Sequence, residues 1–453
     1  MSFPRYPAYK DCGIEWLEKL PSHWNVLQLR RLIPEIESGV SVNALDHAPD
    51  EGIPSVLKTS CVYTGSFRPE ERKEIIQEDI DRAACPVKSG RLIVSRMNTP
   101  DLVGAAGLSL VDYDCVFLPD RLWQVRISNV YPNFAYYWTQ TQIYRDQVKM
   151  VCSGTSSSMQ NLSQDNFLSF ILPVPSDEEQ IAIASFLDRE TAKIDALIAE
   201  QQRLIALLQE KRQAVISHAV TKGLNPDAPL KDSGIEWLGQ VPAHWKTGKI
   251  KHYFKTSSGG TPNTEEQALY YADSDSGIPW VRTTDIENQE VRSAEVSITN
   301  QAIQDTACEI LPVDTVLVAL YGGGGTVGKN GILTFPAAIN QALCALLPSY
   351  YAVPMFTFRY IQFLRPFWME RAVSARKAGN ISQELVRDTV FALPPLDEQI
   401  LIVKHIHSQL EEITSLENES TKSLSLLQER RSALISAAVT GQIDVRGLAE
   451  VAA

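Results

Sequence analysis

The sequence predicts an α+β protein in which two pseudo-repeated α/β modules are separated by two long coiled-coil helices. Three observations predict it. A helical stretch at 177–221 returns without a gap at 396–440, with Gln180 matching Gln399, Leu207 matching Leu426 and Thr221 matching Thr440. A much larger stretch of mixed character precedes each copy. A tryptophan-bearing segment, KDCGIEWL followed by Pro21, His23 and Trp24, returns as KDSGIEWL followed by Pro242, His244 and Trp245. Internal duplication on this scale constrains the architecture before any single motif does.

Residues 1–24, with Trp16 and Trp24, read as a docking element that places the module after it. His23 and His244 have no partnered nucleophile nearby and read as packing residues. Residues 25–172 form the first module. Its short apolar runs 53–57, 91–95 and 116–118 read as strands, and 69–84 and 133–148 read as helices. Residues 173–229 hold the first long helix, entered through Pro173 and Pro175, and 230–245 repeat the docking segment with Trp237 and Trp245. Residues 246–391 form the second module, and 392–453 hold the second long helix, entered through Pro394 and Pro395. Gly277-Ile278-Pro279 echoes Gly52-Ile53-Pro54, and Asn380-Ile381-Ser382-Gln383 echoes Asn161-Leu162-Ser163-Gln164. The framing elements match while the interiors differ, the pattern of two modules doing one kind of job on two different targets.

Within the helices, Leu187, Ile194, Leu208 and Val215 fall at sevens with Gln201 interrupting, and Ile406, Ile413, Leu427 and Leu434 do so with Ser420 at the equivalent place. This is a coiled-coil repeat with one polar layer, a device that fixes register. Leu197 and Leu204, three residues after members of the first series, are expected at the second seam position. A helix of about 45 residues spans roughly 65–70 Å, too long for the core of one small domain, so the two helices are expected to pack on each other.

A length of 453 residues allows about three domains. Hydrophobic content of 44% with 21% charged residues fits a soluble protein with ample material for cores. No run approaches the roughly 18 apolar residues of a membrane span, and MSFPRYPAYK is not a signal peptide. The seven cysteines are scattered without CxxC spacing, which supports neither a zinc site nor a disulfide framework and places the chain in a reducing cytoplasm. The net charge of −12 argues against gripping nucleic acid by bulk electrostatics and leaves local basic patches as the means.

Three motifs read as decoys. Gly323 to Lys329 fits GxxxxGK, but Asn330 replaces the metal-ligating Ser/Thr, and the stretch that follows reads as a strand where a phosphate loop needs a helix. Asp50 in a turn-like PDEG and Glu71 at the start of a polar helix are not placed to share a metal. His405 and His407, two apart on a helix, point to different faces. With no methyl-donor fingerprint and no triad, the chain reads as non-catalytic.

The doubled KDxGIEWL…PxHW segment, the doubled PxxxEQ entry and the doubled LLQE(K/R)R…ISxAVT helix end, with GGGTVGKNGIL and INQAL in the second module, resemble the specificity subunit of type I restriction–modification systems across nearly the full chain. The resemblance implies two target-recognition domains, each reading one half of a split, asymmetric DNA site, held apart by an antiparallel helix pair that acts as a ruler for the unread gap. It also implies that the helices and docking segments bind two methyltransferase subunits, which carry S-adenosylmethionine, and that a restriction subunit using ATP and magnesium can join. This chain would then need no cofactor or metal of its own, and no membrane.

Side chains that read base edges are Arg and Lys towards guanine and Asn and Gln towards adenine. In the first module the candidates are Arg96, Asn98 and Arg121, with the polar run 153–158 (Ser156 within it), Gln160 and Asn161 as a contacting loop. In the second they are Tyr321, Gly324 for close approach, Lys329 presented to phosphate by the glycine loop, Asn340, Gln341, Arg376, Lys377 and Asn380, with Arg376 and Lys377 mainly on phosphate. The first module departs from the pattern: 99–107 only faintly matches the glycine loop, and nothing near Pro119-Asp120-Arg121 clearly matches Asn340-Gln341. Trp16, Trp24, Trp237 and Trp245 are assigned to partner docking, and the seam residues to helix pairing. The competing readings are a stand-alone methyltransferase or nuclease with unrecognised motifs, and a helical scaffold without DNA readout.

Overall fold

A computed structural model describes residues 3–14, 17, 19–47, 49–156, 159–273, 276–323, 325–374 and 379–448. The chain divides into two compact units, Met1–Gln202 with Lys422–Ala453, and Arg203–Thr421. Each long helix, Asp177–Lys222 of 46 residues and Leu396–Val439 of 44, contributes one part to each unit.

In the first unit the central sheet runs in the order Ala106–Ser109, Arg91–Ser95, Leu122–Arg126, Glu35–Ser38, antiparallel throughout. A second sheet runs Arg72–Glu74, Ser55–Leu57, Tyr113–Phe117, Pro86–Val87. Alternation along the central strand explains why its run of apolar residues is continuous. Leu92 and Val94 enter the core shared with the long helices, while Ile93 faces the second sheet and its smaller core. The second unit repeats this: Val316 and Val318 face the helix-side core, Leu317 and Ala319 the other. Its central sheet runs Thr256–Ser258, Leu343–Leu346, Val316–Ala319, Asn330–Leu333, Gln289–Val291. Each module is closed at its root by an antiparallel pair, Asn25–Gln28 with Ile171–Val174 and Lys246–Lys249 with Val390–Leu393.

Two expectations are corrected. The stretch 69–84 is a strand, Arg72–Glu74, followed by a 3-10 helix, Gln77–Arg82. Glu71 therefore precedes a strand; Ser60 Oγ donates to its carboxylate at 2.7 Å. Backbone pairing of Arg72, Lys73 and Glu74 with the buried strand Ser55–Leu57 outweighs the helical preference of a polar stretch with no apolar face to bury. The expected helix 133–148 is two helices, Pro132–Thr139 and Gln142–Val151, because Thr141 caps the second by accepting from the Tyr144 amide at 3.3 Å.

The long helices pack antiparallel. In the first unit Ile183, Leu187 and Ile194 share a core with Leu434, Ile435 and Ala438, and in the second Leu208, Ile216 and Ala219 with Ile402, Ile406, Leu410 and Ile413. Each buried Leu or Ile contributes about 1.5–3 kcal/mol. Val215 and Leu427 pack partly buried at their series positions, and Ser420 is the buried polar layer at 5% exposed. The second seam is not where expected. Leu197 and Leu204 are 52% and 40% exposed, while Thr191 is buried and Ile198, Ile205 and Arg212 are half-buried. In a heptad the steps alternate between three and four residues, and here the four-residue step follows the Leu187 series.

The repeated glutamate and glutamine at the start of each long helix bracket the rest of the unit. His23 Nε2 lies 2.9 Å from Glu179 Oε1, and His244 Nε2 lies 2.8 Å from Glu398 Oε2. The Trp24 and Trp245 indoles donate to the same two carboxylates. Gln180 Oε1 accepts from the Tyr131 amide and Gln399 Oε1 from the Val353 amide, each at 2.7 Å, at the head of the module's helix. Gly223 (φ 71°) and Gly441 (φ 70°) end the helices in the left-handed conformation, and a Cβ on Gly441 would run into Pro21. Trp24 and Trp245 are thus buried inside their own units and dock the segment to its helix rather than offering a surface to a partner. Trp237 is half-buried against Phe367, with ring centroids 4.7 Å apart, and Trp16 lies outside the described residues.

Candidate nucleic-acid interface

In the first module the central strand Arg91–Ser95 continues as Met97–Asn98 into a three-stranded sheet with Met159–Asn161 and Ser153–Ser156. The polar run is therefore a hairpin, not a loop, as far as Ser156. The Arg96 amide donates to the Arg121 carbonyl at 3.0 Å, and Arg96 in turn accepts from the Leu162 amide at 2.8 Å. These pairings bring Arg96, Asn98, Arg121, Gln160, Asn161 and the backbone of Ser156 into one patch. Arg121 and Asn161 are exposed, and Arg96 is half-buried with its guanidinium 6.0 Å from the centre of the Trp123 ring. Asn98 is different. It is 7% exposed, donates to the Tyr63 hydroxyl at 2.9 Å and to Ser95 Oγ at 3.2 Å, and accepts from the Thr99 amide. Its polar atoms hold the frame together.

The second module has the same bracket with other side chains. The Leu320 amide donates to the Ala342 carbonyl and Leu320 accepts from the Ile381 amide, at 2.8 and 2.9 Å. Leu320 therefore stands where Arg96 stands, Ala342 where Arg121 stands, and Asn340-Gln341 where Pro119-Asp120 stands. The match missing from the sequence is present in the hydrogen bonds. The same holds for the loops: the Gly104 amide donates to Ser95 and the Gly328 amide to Ala319, at 2.7 and 2.9 Å. The residues 99–103 thus occupy the place of the glycine loop.

Each loop rests on an arginine that sequence reasoning missed. Arg145 donates to the carbonyls of Val103 at 2.6 Å, Asp101 at 2.9 Å and Pro100 at 3.3 Å. Arg365 donates to Gly325 at 2.7 Å and Val327 at 3.5 Å, and burial pulls it below the usual guanidinium pKa. No fixed spacing signals these residues, because one module breaks its helix at Thr141 and the other carries a single helix, Pro354–Ser374, through Pro366. Gln140 and Gln362 add a second matched clamp, donating to the carbonyls of Gly65 and Asn288 at 3.1 and 2.7 Å; both of those residues have positive φ.

Lys329 is not a free cation. Its Nζ lies 2.7 and 2.8 Å from the two carboxylate oxygens of Glu287, so its charge is matched within the module. Tyr321 packs partly buried against the second core, and Gln341 and Asn380 are exposed, Gln341 accepting from the Thr261 hydroxyl. Asn340 keeps a buried Oδ1 that has no hydrogen-bond partner among the described residues. Gly324, Arg376 and Lys377 lie outside the described residues. The strand Asn330–Leu333 follows the glycine loop directly, so no helix N-terminus is there to cradle a nucleotide phosphate. Among the described residues no group of His, Cys, Asp and Glu is placed to hold a metal, and no helix is long and apolar enough to cross a membrane.

A profile described as the type I restriction modification DNA specificity domain matches residues 56–206 and again 242–426. The chain belongs to this family, the specificity subunits of type I restriction–modification systems. Among its relatives in the family, the StySPI specificity subunit of Salmonella potsdam is 20% identical over 454 aligned positions, covering 95% of this chain and 92% of that one. The EcoKI specificity subunit of Escherichia coli K12 is also 20% identical, with the same coverage. Two solved structures share the specificity-subunit fold. One, from work on complex assembly and conformational transition of the type I system, has a TM-score of 0.67 at 17% identity and covers 93% of this chain and 98% of its own. The other, the HsdS subunit of Thermoanaerobacter tengcongensis, has a TM-score of 0.52 at 16% identity with the same coverage. As a specificity subunit, the chain recognises DNA sequence through its two modules, and neither the stand-alone enzyme nor the scaffold reading has support.

Proposed function

We propose that each module reads one half of a bipartite, asymmetric site in double-stranded DNA, that the helix pair sets the unread gap, and that the chain docks two modification subunits. The observation that carries this reading is one hydrogen-bonded frame used twice with different side chains at matched places: Arg96 against Leu320, Arg121 against Ala342, and Pro119-Asp120 against Asn340-Gln341. Equal frames give equal geometry on the duplex, and unequal side chains give unequal base preferences, since base edges specify while backbone contacts position. Arg121, Asn161, Gln160 and Arg96 are the contacts proposed for the first half, and Gln341, Asn340, Asn380 and Tyr321 for the second.

The chemistry belongs to the partners. S-adenosylmethionine is assigned to the modification subunits, ATP and magnesium to any restriction subunit, and no catalytic group, cofactor or metal to this chain, which works in the cytoplasm. Methylated adenines are mapped in DNA from cells carrying the chain with its partner subunits and in cells lacking it. A split motif that disappears with the chain is the expected result. Methylation that is indifferent to the chain, with the partners present, sinks the proposal.

A further inference from the structure

We infer that residues 99–103 and, in the second module, the matched Gly323 and Gly325–Val327 belong to the DNA-reading loops of the two modules, and that Arg145 and Arg365 are the positioning residues that set their specificity. The inference rests on the bipartite reading above and goes beyond it by naming the element that holds the readout surface in shape.

The equivalence of the loops comes from their anchors. Both leave the central strand at the residue after a matched pair, Ser95 or Ala319, and both return through a glycine, Gly104 (φ 76°) or Gly328 (φ 71°), whose amide bonds back to that strand. At Gly328 a Cβ would press on Arg365 Cγ at 2.9 Å, so the return glycine leaves room for the arginine. Between the anchors the sequences share almost nothing: Thr99-Pro100-Asp101-Leu102-Val103 in one, glycines with Thr326 and Val327 in the other.

What the loops share is a guanidinium on the module's helix that donates to loop carbonyls. Arg145 reaches three carbonyls and Arg365 two, including the matched pair Val103 and Val327. A planar fork with five donors in fixed directions can hold several carbonyls in one set geometry, whereas an ammonium offers three rotatable donors from a single point. The carbonyls that accept from these arginines face the helix and hold each loop against it, and a positive charge sits beneath the loop that, among the described residues, has no carboxylate hydrogen bond. Such a support lets the loop sequence vary freely between modules while its position on the duplex stays constant.

The full chain is assembled with its modification subunits, and preferred sequences are selected from a random DNA library for the wild type, Arg145→Gln, Arg145→Lys, Arg365→Gln and Asp101→Ala. Arg145→Gln is expected to lower discrimination at the first module's half-site about tenfold or more and to leave the other half-site intact; Arg365→Gln is expected to do the reverse. Arg145→Lys, which keeps the charge without the fork, is expected to keep affinity but not discrimination. If Arg145→Gln fails to fold, the exposed Asp101 decides, because its replacement should alter the preference only in the first half-site. A split motif indifferent to all these variants overturns the inference alone. A wild-type complex that selects no split motif overturns the bipartite reading and this inference with it.

Discussion

Arg212 on the first long helix donates to Glu417 on the second at 2.7 Å, and also to Thr414 at 2.8 Å. Its counterpart in the repeat, Arg431, donates to Asp195 at 2.7 Å. The antiparallel pairing therefore carries one cross-helix arginine in each unit, at the seam position that sequence periodicity misplaced.

Both pairs are partly exposed, with Arg212 and Glu417 side chains 34% and 20% accessible, so each is expected to contribute only about 0.5–1 kcal/mol. A double-mutant cycle with Arg212→Ala and Glu417→Ala, read by urea unfolding of the full chain, measures the coupling. A coupling near zero would leave the pair as a register marker alone.

Glu179 supplies a pH test. Burial by itself would raise its pKa, but hydrogen bonds from His23, the Ser176 amide and Trp24 over-compensate and hold it below the ordinary carboxylate value. A depressed carboxylate stabilises the fold above its unfolded pKa of about 4.3 and loses that contribution as pH falls through the lower folded value. Wild type is expected to exceed Glu179→Gln in stability by on the order of 1–2 kcal/mol at neutral pH. The gap should close in acid, as followed by unfolding midpoints across a pH series. A gap that widens in acid would contradict the assignment.

Because Glu287 already matches Lys329, replacing that lysine by alanine is expected to leave the salt dependence of DNA binding nearly unchanged. Glu287→Gln releases the ammonium and should steepen the slope of log affinity against log salt by up to about 0.9. Titrations at several salt concentrations with the assembled complex decide it. The reverse order, with Lys329→Ala flattening the slope and Glu287→Gln inert, would restore Lys329 as a direct phosphate ligand.

The seam repeats every seven residues, so inserting one heptad at the matched positions after Gln201 and Ser420 preserves the packing. It adds about 10.5 Å to each helix, and the gap between half-sites should lengthen by about three base pairs at 3.4 Å each. Methylation mapping of the lengthened chain reads the gap directly; an unchanged gap means that the helices do not set it.

The long helices were legible almost to the residue, since 177–221 and 396–440 became Asp177–Lys222 and Leu396–Val439. The strand Arg91–Ser95 was legible too, because burial on both faces writes an unbroken apolar run. Elements made by pairing were not. Arg72–Glu74 is a strand only because Ser55–Leu57 lies beside it, and no local pattern announces that. The site shows the same division. Arg121, Gln341 and Asn380 are exposed, whereas Asn98 is consumed by Tyr63 and Ser95 and Lys329 by Glu287, and the Tyr63 and Glu287 contacts join distant parts of the chain. Arg145 and Arg365 were invisible because backbone carbonyls, which every residue has, are their partners.

The unequal way in which the chain builds its two units bears on synthesis. The second unit is continuous, Arg203–Thr421, and every residue it needs has been joined to the chain before the last helical turns are made. The first cannot close until Lys422–Ala453 emerges, and until then Leu187 and Ile194 lack the cover of Leu434, Ile435 and Ala438. Domains tend to complete as they emerge, yet here the half translated first is finished last. A nascent chain released early would carry one complete reader and one bare, adhesive helix, so premature termination in the final stretch should yield aggregation-prone product rather than a half-specific protein.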